Sequence, residues 1–355
     1  MMKARKQTRS INLGGIQVGA GAPISIQSMC TTRTADIEAT VGQVRRLAAA
    51  GCEIIRVSVL DKDDAEALSE IKKLGCLPLV ADIHFDYRLA LTSIAQGIDC
   101  LRINPGNIGD KDRIKAVVEA AAEKGIPIRI GVNGGSLEDS IVEKYGTASP
   151  EGMLESAMRH VRILEDLDFH DIKVSLKASD PLTTIEANRL FSNQSDIPLH
   201  LGVTEAGPLV SGAVRSSAAL AILLSEGIGD TLRISLSADP VEEVRAARTL
   251  LSSLGLRKAG VRVVSCPTCG RCQVSNMFEI AERVEARLAG ISADLTVAVM
   301  GCAVNGPGEA RDADIAAVCG KNSGLIYVLG KKVKTVPQDE IEDALLEKVQ
   351  ELIKT

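Results

Sequence analysis

Three cysteines in the last third of the chain have the residue type and spacing of a metal centre. Ser265-Cys266-Pro267-Thr268-Cys269-Gly270-Arg271-Cys272 and Gly301-Cys302-Ala303-Val304-Asn305-Gly306-Pro307-Gly308-Glu309 each follow an apolar, β-branched run. A CxxC pair brings two thiolates to one centre, and neighbouring Gly and Pro hold the turns open so that backbone N–H groups can face sulfur. Two strand ends would bring Cys302 to Cys266 and Cys269, and the chemistry indicated is iron–sulfur redox chemistry. CxxC by itself suits structural zinc equally well. Against zinc, His84, His160, His170 and His200 all lie far upstream and no second CxxC completes a ribbon. A four-cysteine zinc site using Cys266, Cys269, Cys272 and Cys302 stays open. Bacterial ferredoxin spacing fails, because the run would continue with a cysteine where Asn276 stands. On spacing alone Cys272 and Glu309 compete for the fourth ligand position, and softness favours the thiolate.

A second set of chemical residues recurs just where apolar runs end. Arg56 and Ser58, Asp82 and His84, Arg102 and Asn104, Asn133, Lys177, Glu205, Arg233 and Ser235 close eight short runs at 24–28, 54–59, 77–82, 100–104, 127–132, 171–176, 198–203 and 231–236. The runs read as strands buried on both faces. Helical stretches fill the gaps, such as 36–50, opened by Asp36 and closed by Gly51, and 110–124, opened by Asp110 and closed by Gly125. Eight strand–helix units joined by right-handed crossovers predict a (β/α)8 TIM-type barrel, which carries its chemistry on the C-terminal ends of its strands. A doubly wound open sheet would gather ligands at one crevice instead. After a helix over 239–254, the Gly255–Gly260 segment marks a boundary, giving a substrate-binding barrel over 1–258 and a small α/β iron–sulfur domain over 259–355. The second domain reads as strand 261–265, cysteine turn, helix 275–289, strand 295–300, Gly-rich turn, strand 325–329 and helix 338–353.

Composition sets the remaining bounds. With 355 residues the chain exceeds the usual size of one core. Only 2% of residues are aromatic and the formal net charge is −5, so there is neither a basic field for a phosphate backbone nor a stacking surface for bases. Nucleic acid is excluded as a partner. No apolar run approaches the length of a membrane span, and the basic Met1–Arg9 stretch is followed by Ser10, Asn12 and two glycines, not by a signal-type apolar segment. A cytoplasmic protein is expected, where nine cysteines point to metal ligation or burial instead of disulfides. Cys30, Cys52, Cys76 and Cys100 stand singly among apolar neighbours and read as small core residues.

The motifs CPTCGR (266–271) and GCAVNGPGE (301–309) resemble the paired cluster motifs of the 4-hydroxy-3-methylbut-2-enyl diphosphate synthase family. The resemblance extends to VADIHFDYRLAL (80–91), CLRINPGNIGD (100–110), PIRIGVN (127–133), LGVTEAG (201–207) and LLSEGIGDTLRISL (223–236), so it covers nearly the whole chain. It implies a [4Fe-4S] cluster held by Cys266, Cys269, Cys302 and the carboxylate of Glu309, against the softness argument for Cys272; Cys272 and Cys319 lie outside the motif. A hard oxygen ligand is labile on iron, which would free one iron for a substrate oxygen. The implied reaction is reductive ring opening of 2-C-methyl-D-erythritol 2,4-cyclodiphosphate to 4-hydroxy-3-methylbut-2-enyl diphosphate. Its two electrons would come from a ferredoxin or flavodoxin, since the chain has no GxGxxG.

The same resemblance gives the strand-end residues their expected roles. Arg56, Arg102, Lys177, Arg215 and Arg233 match a basic pocket for the diphosphate, with Asn133 and Ser235 adding neutral hydrogen bonds. Asp82 and Glu205 are the expected substrate-orienting and proton-handling carboxylates, Glu205 delivering a proton to the leaving hydroxyl. The family's head-to-tail pairing implies a homodimer in which the cluster domain of one chain caps the barrel of the other. The competing reading is a non-redox iron–sulfur hydro-lyase acting on a phosphorylated small molecule, in which iron serves only as a Lewis acid; it differs in needing no reductant.

Overall fold

The structure is a computed structural model that describes every residue except Met1, Ala259, Gln273, Ala289, Gly290, Ser292, Ala303, Asn305 and Thr355. The chain divides into two compact units, one ending at Arg257 and the other beginning at Lys258.

The first unit opens with an antiparallel hairpin of β1 (Ile11–Leu13) and β2 (Ile16–Val18). Its two-residue turn is Gly14–Gly15, with φ of 56° and 94°, the left-handed backbone that a tight hairpin turn demands and that glycine adopts without Cβ strain. Ile11, Leu13 and Val18 pack on Ile54, Val80 and Cys100, near the starts of three barrel strands, so the hairpin plugs the barrel floor.

Eight parallel strands follow: β3 (Ser25–Met29), β4 (Ile54–Ser58), β5 (Leu79–Asp82), β6 (Cys100–Ile103), β7 (Ile128–Asn133), β8 (Ile172–Lys177), β9 (His200–Leu201) and β10 (Thr231–Leu232). From β3 to β8 each strand pairs with its successor, β9 pairs with β10, and β10 returns to β3. This is the (β/α)8 barrel that the strand–helix alternation predicts. Its helices begin and end on the signals read from sequence. Asp36 accepts the N–H of Ala39 to open Ile37–Ala50, which closes on Gly51 at φ 99°, and Asp110 and Gly125 bound Lys111–Lys124 in the same way. Alternation along the strands sorts the side chains. Ile55, Val57, Leu101, Ile103, Ile128, Ile130, Ile172 and Val174 join the large apolar core under the helices, which leaves Arg56, Arg102, Arg129 and Lys173 on the opposite, inner face.

The seam from β8 to β10 is thin. β9 and β10 contribute two residues each, and β8 meets β9 through the single bridge Val174–Leu199. The N-terminal segment reinforces it. The N–H groups of Lys3 and Lys6 donate to the carbonyls of Ser225 and Gly227 at 2.8 and 3.0 Å. Arg5 and Thr8 both donate to Asp230 at 3.1 Å, while Asp230 also accepts the N–H of Leu199 at 3.0 Å.

The second unit is a five-stranded sheet in the order β11 (Arg262–Ser265), β12 (Thr296–Met300), β13 (Ile315–Cys319), β14 (Ser323–Val328) and β15 (Lys331–Pro337). The first three strands are parallel and the last two antiparallel. Helix Met277–Leu288 buries Met277, Ile280, Val284 and Leu288, and helix Ile341–Lys354 buries Ile341, Leu345 and Val349, in one core against Val297, Val299, Ile315 and Ile326. Sequence reading finds β11, β12 and β14 but not β13 or β15. Among the described residues no helix is long and apolar enough to cross a membrane.

Candidate active site

Toward the C-terminal ends of the barrel strands the inner face is cationic, and the charge continues inward to Arg129 and Lys173 near the starts of β7 and β8. Strand register sets Asp82, Arg102, Arg129 and Lys173 abreast on β5, β6, β7 and β8, about 4.8 Å apart from strand to strand. Arg56 stands on β4, Lys177 ends β8 and Arg233 follows β10. Arg129, Lys173 and Lys177 are buried, and Nε and Nη1 of Arg129 and Nζ of Lys173 find no hydrogen-bond partner among the described residues. Arg129 and Lys173 lie outside the pocket read from sequence. Alternation would have found them, because both fall on the same strand face as recognised pocket residues, four positions before Asn133 and Lys177 respectively.

The carboxylates facing these cations are Asp82 and Glu243. Asp82 accepts Arg102 Nη1 at 3.0 Å, with Arg56 Nε at 3.7 Å and His84 Nε2 at 3.5 Å. Burial pushes its carboxyl up, but Arg56, the hydrogen bond from His84 and Arg102 outweigh that and hold it far below the usual carboxylate range. Asp82 is therefore an ionised anchor that orients Arg56 and Arg102, and it is not suited to carrying a proton. Glu243, from helix Pro240–Ser253, takes Arg233 in a two-point pair at 2.9 Å for each bond. The Met29 thioether lies against both Arg56 and Arg233, at 2.7 and 3.4 Å from their nearest nitrogens.

The surplus of positive charge registers on the cations themselves. Burial, partly offset by Asp82, lowers Arg56 to about 10, and burial lowers Lys173 to about 8. Arg129 is pushed well down by burial and then by Arg56 and Arg102; Lys177 is pushed well down by burial and then by Arg129, Arg56 and Arg233. An anion bound among Arg56, Arg129 and Lys177 would offset the mutual repulsion of these three. Two glycines make room for the ring. A Cβ on Gly131 would sit 2.5 Å from Arg102 Nε, and one on Gly202 would sit 2.6 Å from the Arg233 carbonyl and 2.8 Å from Lys177 Nζ.

The remaining sequence candidates are distributed around this ring. Asn133 ends β7 and is half-buried, as is Ser235. Glu205 is exposed beyond β9 in a left-handed conformation, φ 53°, an uncommon state for a non-glycine residue that concentrates at functional sites. Arg215 does not join the cationic ring. It lies exposed on helix Leu209–Ser225 and donates to the Ala206 carbonyl at 3.0 Å, bracing the turn that carries Glu205. His200, buried against Thr231 with Nδ1 to Oγ1 at 2.7 Å, is pushed well below its ordinary range by burial and then by Lys177 and Arg129, and is a neutral core histidine.

In the second unit the cysteines share one sheet edge. β11 and β12 are parallel with Ser265 opposite Val299, so Cys266 and Cys302 leave adjacent strand ends on the same side. Thr268, at φ 49°, turns the chain toward Cys269, and Glu309 lies in helix Gly306–Asp312 directly after Cys302. The donor set of three thiols and one carboxylate at one edge is chemically suited to an iron–sulfur cluster. The four do not close into a shell: Cys302 is buried, Cys269 is exposed, and among the described residues no three His, Cys, Asp or Glu side chains form a group able to hold a metal ion. Cys272 turns inward. Its thiol donates to the Val274 carbonyl at 3.4 Å and packs against the main core of the unit. Cys319 is buried nearby and pushed up to about 12, as are Cys30 and Cys52 in the barrel, by burial in each case.

A cation-ringed mouth on the catalytic face of a (β/α)8 barrel, followed by a cysteine-bearing α/β unit, defines a two-unit barrel enzyme for an anionic substrate. Residues 8–248 match the family described as the GcpE TIM-barrel domain, and residues 262–351 match the GcpE protein C-terminal domain. The chain belongs to the GcpE family. A relative from Geobacter sulfurreducens is 54% identical over 99% of both chains, and one from Thermodesulfovibrio yellowstonii is 53% identical over 98% of this chain and 99% of its own. Both are named 4-hydroxy-3-methylbut-2-en-1-yl diphosphate synthase (flavodoxin). Among solved structures, dihydropteroate synthase from Stenotrophomonas maltophilia superposes with a TM-score of 0.51 at 13% identity, covering 69% of this chain and 98% of its own, which is a likeness of fold alone.

Proposed function

We infer that the protein catalyses the reductive ring opening of 2-C-methyl-D-erythritol 2,4-cyclodiphosphate to 4-hydroxy-3-methylbut-2-enyl diphosphate and water, with flavodoxin as electron donor. Full-length relatives at 53–54% identity carry that product and flavodoxin in their names, and the observation that carries the reading here is the buried cation surplus at the barrel mouth. Arg56, Arg102, Arg129, Lys177 and Arg233 face two carboxylates, Asp82 and Glu243. A cyclic diphosphate is a compact dianion whose oxygens accept paired guanidinium hydrogen bonds, so it would neutralise that surplus. Asn133 and Ser235 are suited to its hydroxyl groups. Glu205, exposed on a strained turn held by Arg215, is the carboxyl we assign to proton delivery at the leaving hydroxyl.

The chain's cofactor, in this reading, is a [4Fe-4S] cluster held by Cys266, Cys269, Cys302 and Glu309. Such a cluster supplies electrons one at a time and an iron with affinity for oxygen. The inward turn of Cys272 supports Glu309 as the fourth ligand. We further propose a cytoplasmic homodimer with a shared active site. Exposed Leu60, Phe85, Leu182, Val210 and Val214 all follow strand ends at the barrel mouth, an apolar rim of the kind that a second copy covers. The dependence on flavodoxin in the relatives' names does not favour the hydro-lyase reading.

Anaerobically purified protein should be brown, contain iron, and turn over the cyclic diphosphate only with reduced flavodoxin. Glu309→Ala should lose iron and visible absorption while Cys272→Ala keeps both. Turnover without any reductant, or the opposite pattern of iron loss, would overturn the respective assignment.

A further inference from the structure

Arg233 owes its orientation to a residue that belongs to no strand end. Glu243 lies in the helix Pro240–Ser253, is buried, and receives four hydrogen bonds from three parts of the barrel. One carboxylate oxygen accepts Arg233 Nε and the Ser28 hydroxyl of β3, both at 2.9 Å. The other accepts Arg233 Nη2 at 2.9 Å and the backbone N–H of Leu236 at 3.1 Å. A carboxylate tied to a strand, a loop and an arginine has no freedom to follow the arginine elsewhere, so it dictates where the guanidinium lies.

The guanidinium has five N–H groups in a fixed plane. Two are taken by Glu243, and Nη1 directs one to the Met29 thioether at 3.4 Å. Two remain on the far edge of the fork, a spacing that matches two phosphoryl oxygens. We propose that Glu243 is the positioning residue of the diphosphate pocket, fixing Arg233 so that its unshared N–H pair faces the substrate. This rests on the reading that Arg233 binds the cyclic diphosphate.

Two roles have to be separated, since Glu243 could simply join helix Pro240–Ser253 to the barrel. Steady-state KM and kcat for the cyclic diphosphate, measured on the iron-loaded enzyme with thermal melting alongside, distinguish them in a double-mutant cycle. Arg233→Met and Glu243→Gln should each raise KM about thirtyfold or more, the lower end of the range for breaking a buried charge pair, with kcat changed far less. Added to Arg233→Met, Glu243→Gln should raise KM no further, because its effect passes through the arginine. Glu243→Asp, which keeps the charge but is too short for the two-point pair, should fall between wild type and Glu243→Gln, and it carries the same comparison if the glutamine variant does not fold. An unchanged KM in the Glu243 variants, or an equal further rise on the Arg233→Met background, overturns the positioning role and leaves the pocket intact. An unchanged KM in Arg233→Met overturns the pocket reading itself, and this inference with it.

Discussion

A lysine buried inside a barrel with no carboxylate partner costs the fold stability. Lys173 is fully buried, its ammonium meets no hydrogen-bond partner among the described residues, and burial lowers it to about 8. Unfolded, the same group titrates near 10.5. Below about pH 8 both states hold the proton and the burial penalty is complete; between 8 and 10.5 the unfolded chain binds more protons, so the stability of the barrel climbs with pH. Lys173→Met should therefore stabilise the substrate-free barrel at pH 7 by about 3 kcal/mol, the size of such a shift, and the gain should shrink toward pH 10.5. Urea denaturation of both proteins at pH 7 and 10 checks it, and equal gains at the two values would show that packing, not charge, sets the difference. Residues of this kind were only partly legible. Arg129 and Lys173 hold the third position of runs 127–132 and 171–176, as Arg56, Arg102 and Arg233 do in theirs, so the repeated position was the signal that pointed to them. Glu243 gave no signal at all, because it reaches the pocket from a helix whose acidic first turn reads as ordinary helix chemistry.

Elements were legible where their periodicity was strong. The barrel helices carry Asp caps and terminal glycines, and the strands carry β-branched runs, so order and type followed from sequence. Four strands did not. The β1–β2 hairpin is two three-residue strands, and its Gly14–Gly15 turn is the one local sign of it. β13 is an alanine-rich run of five, and β15 carries Lys331, Lys332 and Lys334 with only Val336 buried, the composition of an edge strand guarded against further pairing. Glycine marks a different limit at this scale. Gly202, next to β9, has ordinary backbone angles, so its necessity lies in what surrounds it: the Arg233 carbonyl and the Lys177 ammonium crowd the place a methyl group would take. Gly202→Ala must move backbone, at a cost of about 1–3 kcal/mol as for other overpacked sites, and should raise KM by displacing both cations together. Melting temperature and KM should shift in the same variant, and a wild-type KM would mean that the ring tolerates displacement.

At the scale of the whole molecule the apolar rim is the feature that a single chain leaves unexplained. Phe85 and Val210 are each about three-quarters exposed. Val210→Asp, with its side chain in solvent in the monomer, should leave the fold intact, weaken self-association and lower turnover; light scattering together with activity over a protein dilution series tests this, and a monomeric wild type with full activity would remove the dimer. The seam of the barrel has a consequence of another kind, for the order of events in time. The segment that ties it together is made well before its partners, since Arg5 meets Asp230 across 225 positions of sequence. Until residue 230 has been made, Arg5 and Thr8 lack Asp230 and β3 has only one of its two neighbours. Ring closure is therefore the last step of barrel assembly and cannot begin during synthesis of its first two-thirds, so an unclosed sheet with open edges at β3 and β8 is the species most exposed to mispairing.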